Sequence, residues 1–292
     1  MFSYDSGAFI FIFSDQALLP DCLLLYANVL YCTFFGTSMA LFSVHFIYRY
    51  LALSGSPLIK NHNRKVIIFL LLFPIIFGFL WFILSYFTIG PFEEGDLFIR
   101  KHYLVDHDIR LSDIHYVGYF FYPEDAQGNT FVNWRGLLGC SIQTFFICVS
   151  FALIFYFGFK CYRYTQSLSR KFVHSSNQLS LQSQLFYALV SQTLIPVLLM
   201  HIPSTINILT SFVSISFESL AQILALTIAL YPALDPLPNF FIIKSYRLAI
   251  IGFFKRIADF FLCKDLPPPM NVIHVQSKAD LLAASNASMM LY

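Results

Sequence analysis

The sequence predicts an all-α membrane protein, a polytopic bundle of five spanning helices, and three observations carry that expectation. The chain is 58% hydrophobic and 18% aromatic, with 12% charged residues against the roughly 25% of a soluble domain, and its mean hydropathy is +0.67. Its apolar residues stand in long uninterrupted runs rather than short periodic segments, and its bases gather in alternate connections between those runs. A soluble domain with a large core fits none of the three.

Taken in order, residues 1–21 read as an extracellular leader. "AFIFIFS" is too short to span a bilayer, Asp5, Asp15 and Asp21 bracket it, and it lacks the basic start of a signal peptide. Five runs follow, at 22–53, 66–89, 136–159, 183–212 and 219–243. Each holds the about 20 apolar residues that cover a hydrocarbon core of about 30 Å. All five should be helices, because lipid offers backbone N–H and C=O groups no partner. Residues 90–135 form a long outer loop. Residues 244–264 read as a basic, apolar interfacial helix ending in Cys263, a lipidation candidate with an ordinary free thiol as the equal alternative. Residues 265–292, rich in proline and small polar residues, should be weakly ordered.

Charge sets the orientation. Arg49 to Lys65 holds four bases and no acid, Lys160 to Gln182 repeats the pattern, and the tail from Lys244 carries six bases against three acids. Those faces are expected to be cytoplasmic. The loop from Pro91 to Arg135 has eight acids against four bases, which places it and the amino end outside. The sequon at Asn286 then falls on the cytosolic tail, where it goes unused. Nucleic acid is not an expected partner, since the bases are spread as topology signals.

Enzyme signatures such as HExxH, a Gly-rich phosphate loop or a nucleophile elbow are absent. His102, His107 and His115 among Asp106, Asp108 and Asp113 have no ligand-pair spacing and read as a solvated acidic loop rather than a metal site. The cysteines read mostly as small buried hydrophobes; a bridge between Cys22 and Cys140, both near outer helix ends, is geometrically conceivable but is the minority reading.

The informative residues lie on the helices. His45 and Arg49 stand at i and i+4 and should share a face. Arg49 is either an interfacial anchor with Tyr48 and Tyr50 in an aromatic belt, or a group facing the bundle. Pro196 and Pro203 each remove a backbone hydrogen bond and should kink the fourth span, which also carries Gln192, His201, Ser204 and Asn207. Asp235 has sixteen uncharged residues before it and eight after. It should pair inward or cap N–H groups freed by Pro232, Pro236 and Pro238. Tyr31, Gln143, His201, Asn207 and Gln222, polar or aromatic positions in the outer or middle part of the spans, are the candidate ligand contacts.

Three segments, "HFIYRYLAL", "QLFYALVSQTLIPVLLMHIPS" and "YPALDPLPNFFIIKSYRLAI", with "YVGYFFYPEDAQGNTFVNW" in the outer loop, resemble the nematode seven-transmembrane chemoreceptors of the Str type. The resemblance runs in order over about residues 20–260. It implies a rhodopsin-like bundle in which 22–53 is the third of seven helices, the first two being absent here and the leader a remnant of the first outer loop. It implies a G-protein-coupled olfactory receptor, not an enzyme and without a cofactor. Such a receptor sits among membrane lipids in the plasma membrane of sensory neuron cilia, detects a small-molecule odorant and activates a heterotrimeric G protein. By position, Tyr48-Arg49-Tyr50 stands for the acidic-Arg-aromatic triplet, with Tyr48 replacing the acid, and the second outer loop lacks its usual cysteine. His45, Tyr48, Arg49, Tyr50, Lys60, Arg64, Lys65, Lys160, Arg163, Arg170 and Lys171 would then meet the G protein. Gln192, Pro196, Pro203, Pro232, Asp235, Pro236, Tyr246 and Arg247 would form the conformational switch. Two other readings stay open: a truncated, non-signalling membrane protein or pseudogene product, and a transporter or channel with Asp235 and His45 along a polar route.

Overall fold

The computed structural model describes residues 1–60, 64–105, 109–125, 128–171 and 176–261. In chain order it runs β1 (Phe2–Tyr4), β2 (Gly7–Phe13), α1 (Asp21–Leu53), α2 (Pro57–Lys60), α3 (Arg64–Ile89), α4 (Glu93–Ile99), β3 (Ile114–Phe120), α5 (Trp134–Lys171), α6 (Ser176–Pro196), α7 (Ile202–Phe212), α8 (Glu218–Leu234), α9 (Leu237–Ile242) and α10 (Lys244–Phe261). Among the described residues five helical stretches are long and apolar enough to cross a membrane: Asp21–Leu53, Arg64–Ile89, Trp134–Leu168, Leu181–Phe212 and Glu218–Ile242. Several run past their apolar cores because helix continues into polar sequence. α5, for example, extends through "KCYRYTQSLSRK" to Lys171, where 159 was the expected end.

α1 is the central helix, packed on α3 and α5 and touching the sheet. Small residues let the backbones approach, as lipid-embedded packing requires. A Cβ at Gly36 would overlap the Trp81 ring, and one at Gly139 would overlap Thr88. Ser43 Oγ reaches the Ser150 carbonyl of α5 at 3.1 Å. Met39, Phe42 and Phe46 of α1, Ile154 and Cys161 of α5 and Phe186 of α6 form one buried cluster.

The leader and outer loop are more than connections. β1, β2 and β3 form an antiparallel sheet in that order. Phe2 pairs with Phe9, and Phe9 with Gly118. The alternating "GAFIFIF" and "IHYVGYF" supply two-faced strands, and Asp5 turns the hairpin at φ 47°, the positive φ that primed hairpin turns need. One face carries Phe9, Ile114, Tyr116 and Phe120 into a core with Ile99 and Leu104. The other turns Val117 toward Val29 of α1 and Ile89 of α3. Asn28 Nδ2 of α1 pins the sheet by donating to the Ile10 carbonyl at 2.8 Å. Ser3 ties β1 to the end of α7 through the Ser211 hydroxyl and to the α7–α8 connection through that of Ser216. Cys22 and Cys140 are free thiols, so the allowed bridge is not formed.

The fourth span is broken where its prolines stand. α6 ends at the buried Pro196, a π turn covers Val197–His201, and α7 restarts with Pro203 in its first turn. Proline cannot donate to the carbonyl four residues back, and a wide turn absorbs the mismatch. The fifth span breaks likewise between α8 and α9 at Asp235 and Pro236. α10 belongs to a separate compact unit that begins at Lys244. It carries Lys244, Arg247, Lys255 and Arg256 beside apolar residues such as Leu248, Ile251 and Phe254.

Candidate functional site

A cavity of about 140 Å³ lies beneath the sheet, walled by α1, α3, α5, α7 and α8. The sheet contributes Ala8, Ile10 and Tyr119, α1 contributes Tyr31 and Phe35, and α7 contributes Ser204, Asn207 and Ile208. Gln143 of α5 braces two walls at once: its Nε2 donates to Ser85 Oγ of α3 at 2.9 Å, and its Oε1 accepts from the Tyr119 hydroxyl. Burial holds the Tyr119 hydroxyl well above the usual tyrosine range, so it stays a neutral donor. Trp81 Nε1 and Asn207 Oδ1, both at the cavity, are buried without a hydrogen-bond partner.

Of the five expected ligand contacts, Tyr31, Gln143 and Asn207 line this cavity. His201 lies in the π turn, 3% exposed, with its ring 4.3 Å from Phe35 and 6.1 Å from Phe151; it is not among the cavity walls. Gln222 is exposed and donates to Glu218 Oε1 at 3.1 Å, one turn back on its own helix, and also lies off the cavity. Trp81, Tyr119, Phe35 and the strand residues Ala8 and Ile10 were not singled out from sequence. The alternation in the leader and outer loop was the available signal, since "AFIFIF" and "IHYVGYF" both have the period of a half-buried strand.

The other end of α1 holds the basic groups. Arg49 Nη2 donates to the Gln182 carbonyl of α6 at 2.7 Å, while Arg49 Nε and Gln182 Oε1 are buried without partners. His45 and Arg49 stand one turn apart on the unbroken helix α1; the His45 ring lies beside Phe42, and Arg49 is half-buried against α6. Helical spacing aligns Cβ atoms, but Arg49 is long enough to bend its head into the bundle. Tyr48 is exposed. Tyr50 packs on Phe157, with Lys160 Nζ over its ring at 5.3 Å and over Tyr156 at 4.5 Å. Arg163 lies over Phe159, and Arg64 and Lys65 are exposed at the start of α3. The side chains of Lys60, Arg170 and Lys171, and all of Cys263 and Asn286, lie outside the described residues.

Of the expected switch residues, Gln192 is half-buried on α6, Pro196 and Pro203 flank the π turn, and Pro232 lies within α8. Asp235 ends α8 with its backbone N–H on the Tyr231 carbonyl at 2.9 Å, and its Oδ1 is buried without a partner. Pro236 starts α9. Tyr246 and Arg247 stand on α10 in the separate unit. Among the described residues no group of three or more His, Cys, Asp or Glu side chains could hold a metal ion.

Comparison with known proteins agrees with the sequence motifs. Residues 1–251 match the family described as serpentine type 7TM GPCR chemoreceptor Str. The G-protein coupled receptor str-217 of Caenorhabditis elegans is 33% identical over 227 residues, covering 77% of this chain and 64% of that protein. Serpentine receptor class r-10 of Caenorhabditis briggsae is 32% identical over 234 residues, covering 78% of this chain and 66% of that protein. The same-named protein of Caenorhabditis elegans is 30% identical over 233 residues, covering 77% and 66%. The chain thus spans about two thirds of the length of these relatives. No solved structure matches. A multi-pass helical bundle with these motifs and these relatives belongs to the Str family of serpentine chemoreceptors.

Proposed function

We propose that the chain is a chemosensory receptor that binds a small molecule in the cavity beneath the sheet and activates a heterotrimeric G protein at the Arg49 end. One observation carries the reading. The broken span α6–α7 touches both sites, lining the cavity through Ser204 and Asn207 and holding Arg49 through the Gln182 carbonyl, with the π turn at Val197–His201 between them. α1 joins the same two places as one unbroken helix. Tyr31 and Arg49 are eighteen residues apart on it, roughly 27 Å at 1.5 Å per residue, close to the thickness of a hydrocarbon core. A ligand favours one bundle arrangement only by the difference in its affinity for the two, and a jointed helix beside a rigid one offers two arrangements. Release of Arg49 from Gln182 then frees the guanidinium itself to meet the G protein, together with Lys160, Arg163, Arg64 and Lys65 of the basic regions.

The charge distribution supports an amino end outside and a basic end in the cytosol, so that the sheet and cavity face the odorant at the plasma membrane of a sensory cilium. The test is a calcium or cyclic-nucleotide readout in cells that express the chain, challenged with small volatile compounds. Evoked signals that vanish when the G protein is removed support the reading. Current through the purified protein in bilayers without any G protein overturns it in favour of a channel.

A further inference from the structure

We propose that β1 is a gate strand, held shut beside the cavity by a relay of three buried hydroxyls, Ser216, Ser3 and Ser211, and biased toward opening by two left-handed residues that flank the relay. This rests on the proposed reading of the cavity as the ligand site and adds its regulation.

The sheet is fastened unequally. On the α1 and α5 side, Asn28 donates to the Ile10 carbonyl at 2.8 Å, the Tyr119 hydroxyl donates to Gln143, and β2 pairs with β3 over seven residues. β1 pairs with β2 over three residues, Phe2–Tyr4, and also lies against α7 and α8. It is joined there by the Asp5 N–H, which donates to the Ser216 carbonyl at 3.2 Å, and by the hydroxyls.

Counting protons orders the relay. Ser211 Oγ donates to the Asn207 carbonyl at 2.9 Å, which leaves its oxygen free to accept. Ser3 Oγ lies 3.3 Å from Ser211 Oγ and 3.2 Å from the Gly7 carbonyl, and has one proton to give to either. Ser216 Oγ, in contact with Ser3 Oγ, then donates to Ser3. Ser3 and Ser211 are 0% exposed and Ser216 is 7% exposed, and chained hydroxyls in such a place polarise one another. The relay ends on the backbone of Asn207, a residue of the cavity wall one turn before Ser211. It also joins the gate to the broken span, since α7 carries Ser211 near one end and meets the π turn at the other.

Asp5 at φ 47° and Ser214 at φ 56° are the non-glycine residues with positive φ among the described residues. Each stands two residues from a member of the relay, Asp5 from Ser3 and Ser214 from Ser216. Side chains of L-residues disfavour that region, and aspartate in a hairpin turn tolerates it better than serine does. The hydroxyl relay therefore holds a strained turn in place, and release of Ser3 lets it relax. The seam between β1 and the α7–α8 corner then opens beside the Asn207 and Leu224 walls.

Cysteines report the opening, because Cys32 and Cys140 line the cavity while Cys22 is exposed and is not among its walls. The full chain in phosphatidylcholine nanodiscs is treated with methyl methanethiosulfonate, and each thiol is followed by peptide mass spectrometry. Ser3→Ala should speed labelling of Cys32 and Cys140 by about fivefold, the factor of one lost hydrogen bond. Ser214→Gly, which removes the left-handed strain, should slow it by about the same factor. Ser3→Cys with Ser216→Cys, oxidised by copper phenanthroline, should form a bridge that slows it by about tenfold or more, and reduction followed by removal of the reductant should restore the rate. Cys22 should label at one rate throughout. Equal labelling of the cavity thiols in the bridged and reduced forms, a parallel change at Cys22, or no effect of Ser214→Gly where the bridge does not form overturns the gate. A bridge that stops labelling while expressing cells still answer the volatile compounds overturns the cavity as the ligand site and leaves the gate standing. A bridge that silences the cells with labelling unchanged overturns the gate and leaves the receptor reading standing.

Discussion

Arg49 holds the Gln182 backbone carbonyl at 2.7 Å, and so ties the end of the unbroken helix α1 to the near half of the broken span. A guanidinium that spends its charge on one carbonyl, with Nε left unpartnered, is a fastening of modest strength. Hydrogen bonds from charged groups contribute about 1.5–3 kcal/mol. That range is large enough to hold one arrangement and small enough for a ligand to reverse.

Arg49→Ala should therefore leave surface expression within about twofold while lowering ligand-evoked nucleotide exchange by about tenfold, the factor that corresponds to 1.4 kcal/mol. Arg49→Lys should not restore it, because an ammonium lacks the planar fork. Cell-surface labelling beside a nucleotide-exchange assay separates the outcomes. A loss of membrane insertion with coupling per receptor unchanged would make Arg49 an anchor.

Gly36→Ala places a methyl group in the Trp81 ring. Overpacking of this kind costs about 1–3 kcal/mol, so the melting temperature should fall and the Trp81 emission maximum should shift as the indole moves. An unshifted emission spectrum with unchanged stability would show that α1 and α3 are not in close contact there.

Phe9 is 2% exposed and lies among Phe98, Tyr116 and Phe120. Phe9→Ala should cost about 3–5 kcal/mol of local stability, read as faster hydrogen exchange across β2 and β3 while α5 stays protected. Uniform loss of protection over the whole chain would mean that the sheet and bundle unfold as one unit.

Tyr116 is raised above the ordinary tyrosine pKa of about 10, first by burial and then by its hydroxyl donating to Asp96 Oδ1 at 2.6 Å. Because the folded value exceeds the unfolded one, the stability it contributes is fully present below about pH 10 and is lost as pH climbs through the folded value. Tyr116→Phe should flatten the alkaline fall in stability between about pH 10 and 12. Thermal unfolding across that window decides it, and an identical slope in the variant would refute the assignment.

The bundle was legible because run length and base placement report the membrane directly, and Pro196 marked the break in the fourth span before any coordinates. That Tyr31, Gln143 and Asn207 border the cavity was legible because polar groups on apolar spans have few places to go. Trp81 was hidden because an aromatic residue within "FGFLWFILSY" is indistinguishable by pattern from lipid-facing neighbours; only the contact with Gly36 picks it out. Gln222 stands off the cavity, where a polar residue near a helix start is satisfied by the turn before it. The sheet was missed because two short alternating strands about a hundred residues apart carry no mutual signal in one sequence, although each had the right period.

That sheet divides two tasks between its faces. Along β2 and β3, the rings of Phe9, Tyr116 and Phe120 pack in the outer core, while Ala8, Ile10, Val117 and Tyr119 of the other face lie at the ceiling of the cavity, which Phe9 and Gly118 also border. A single substitution at a ceiling position can change the shape of the space below without disturbing the residue beside it that keeps the strand in place. Under the proposed reading, the helices need not be redesigned to meet a new compound; repainting the ceiling is enough.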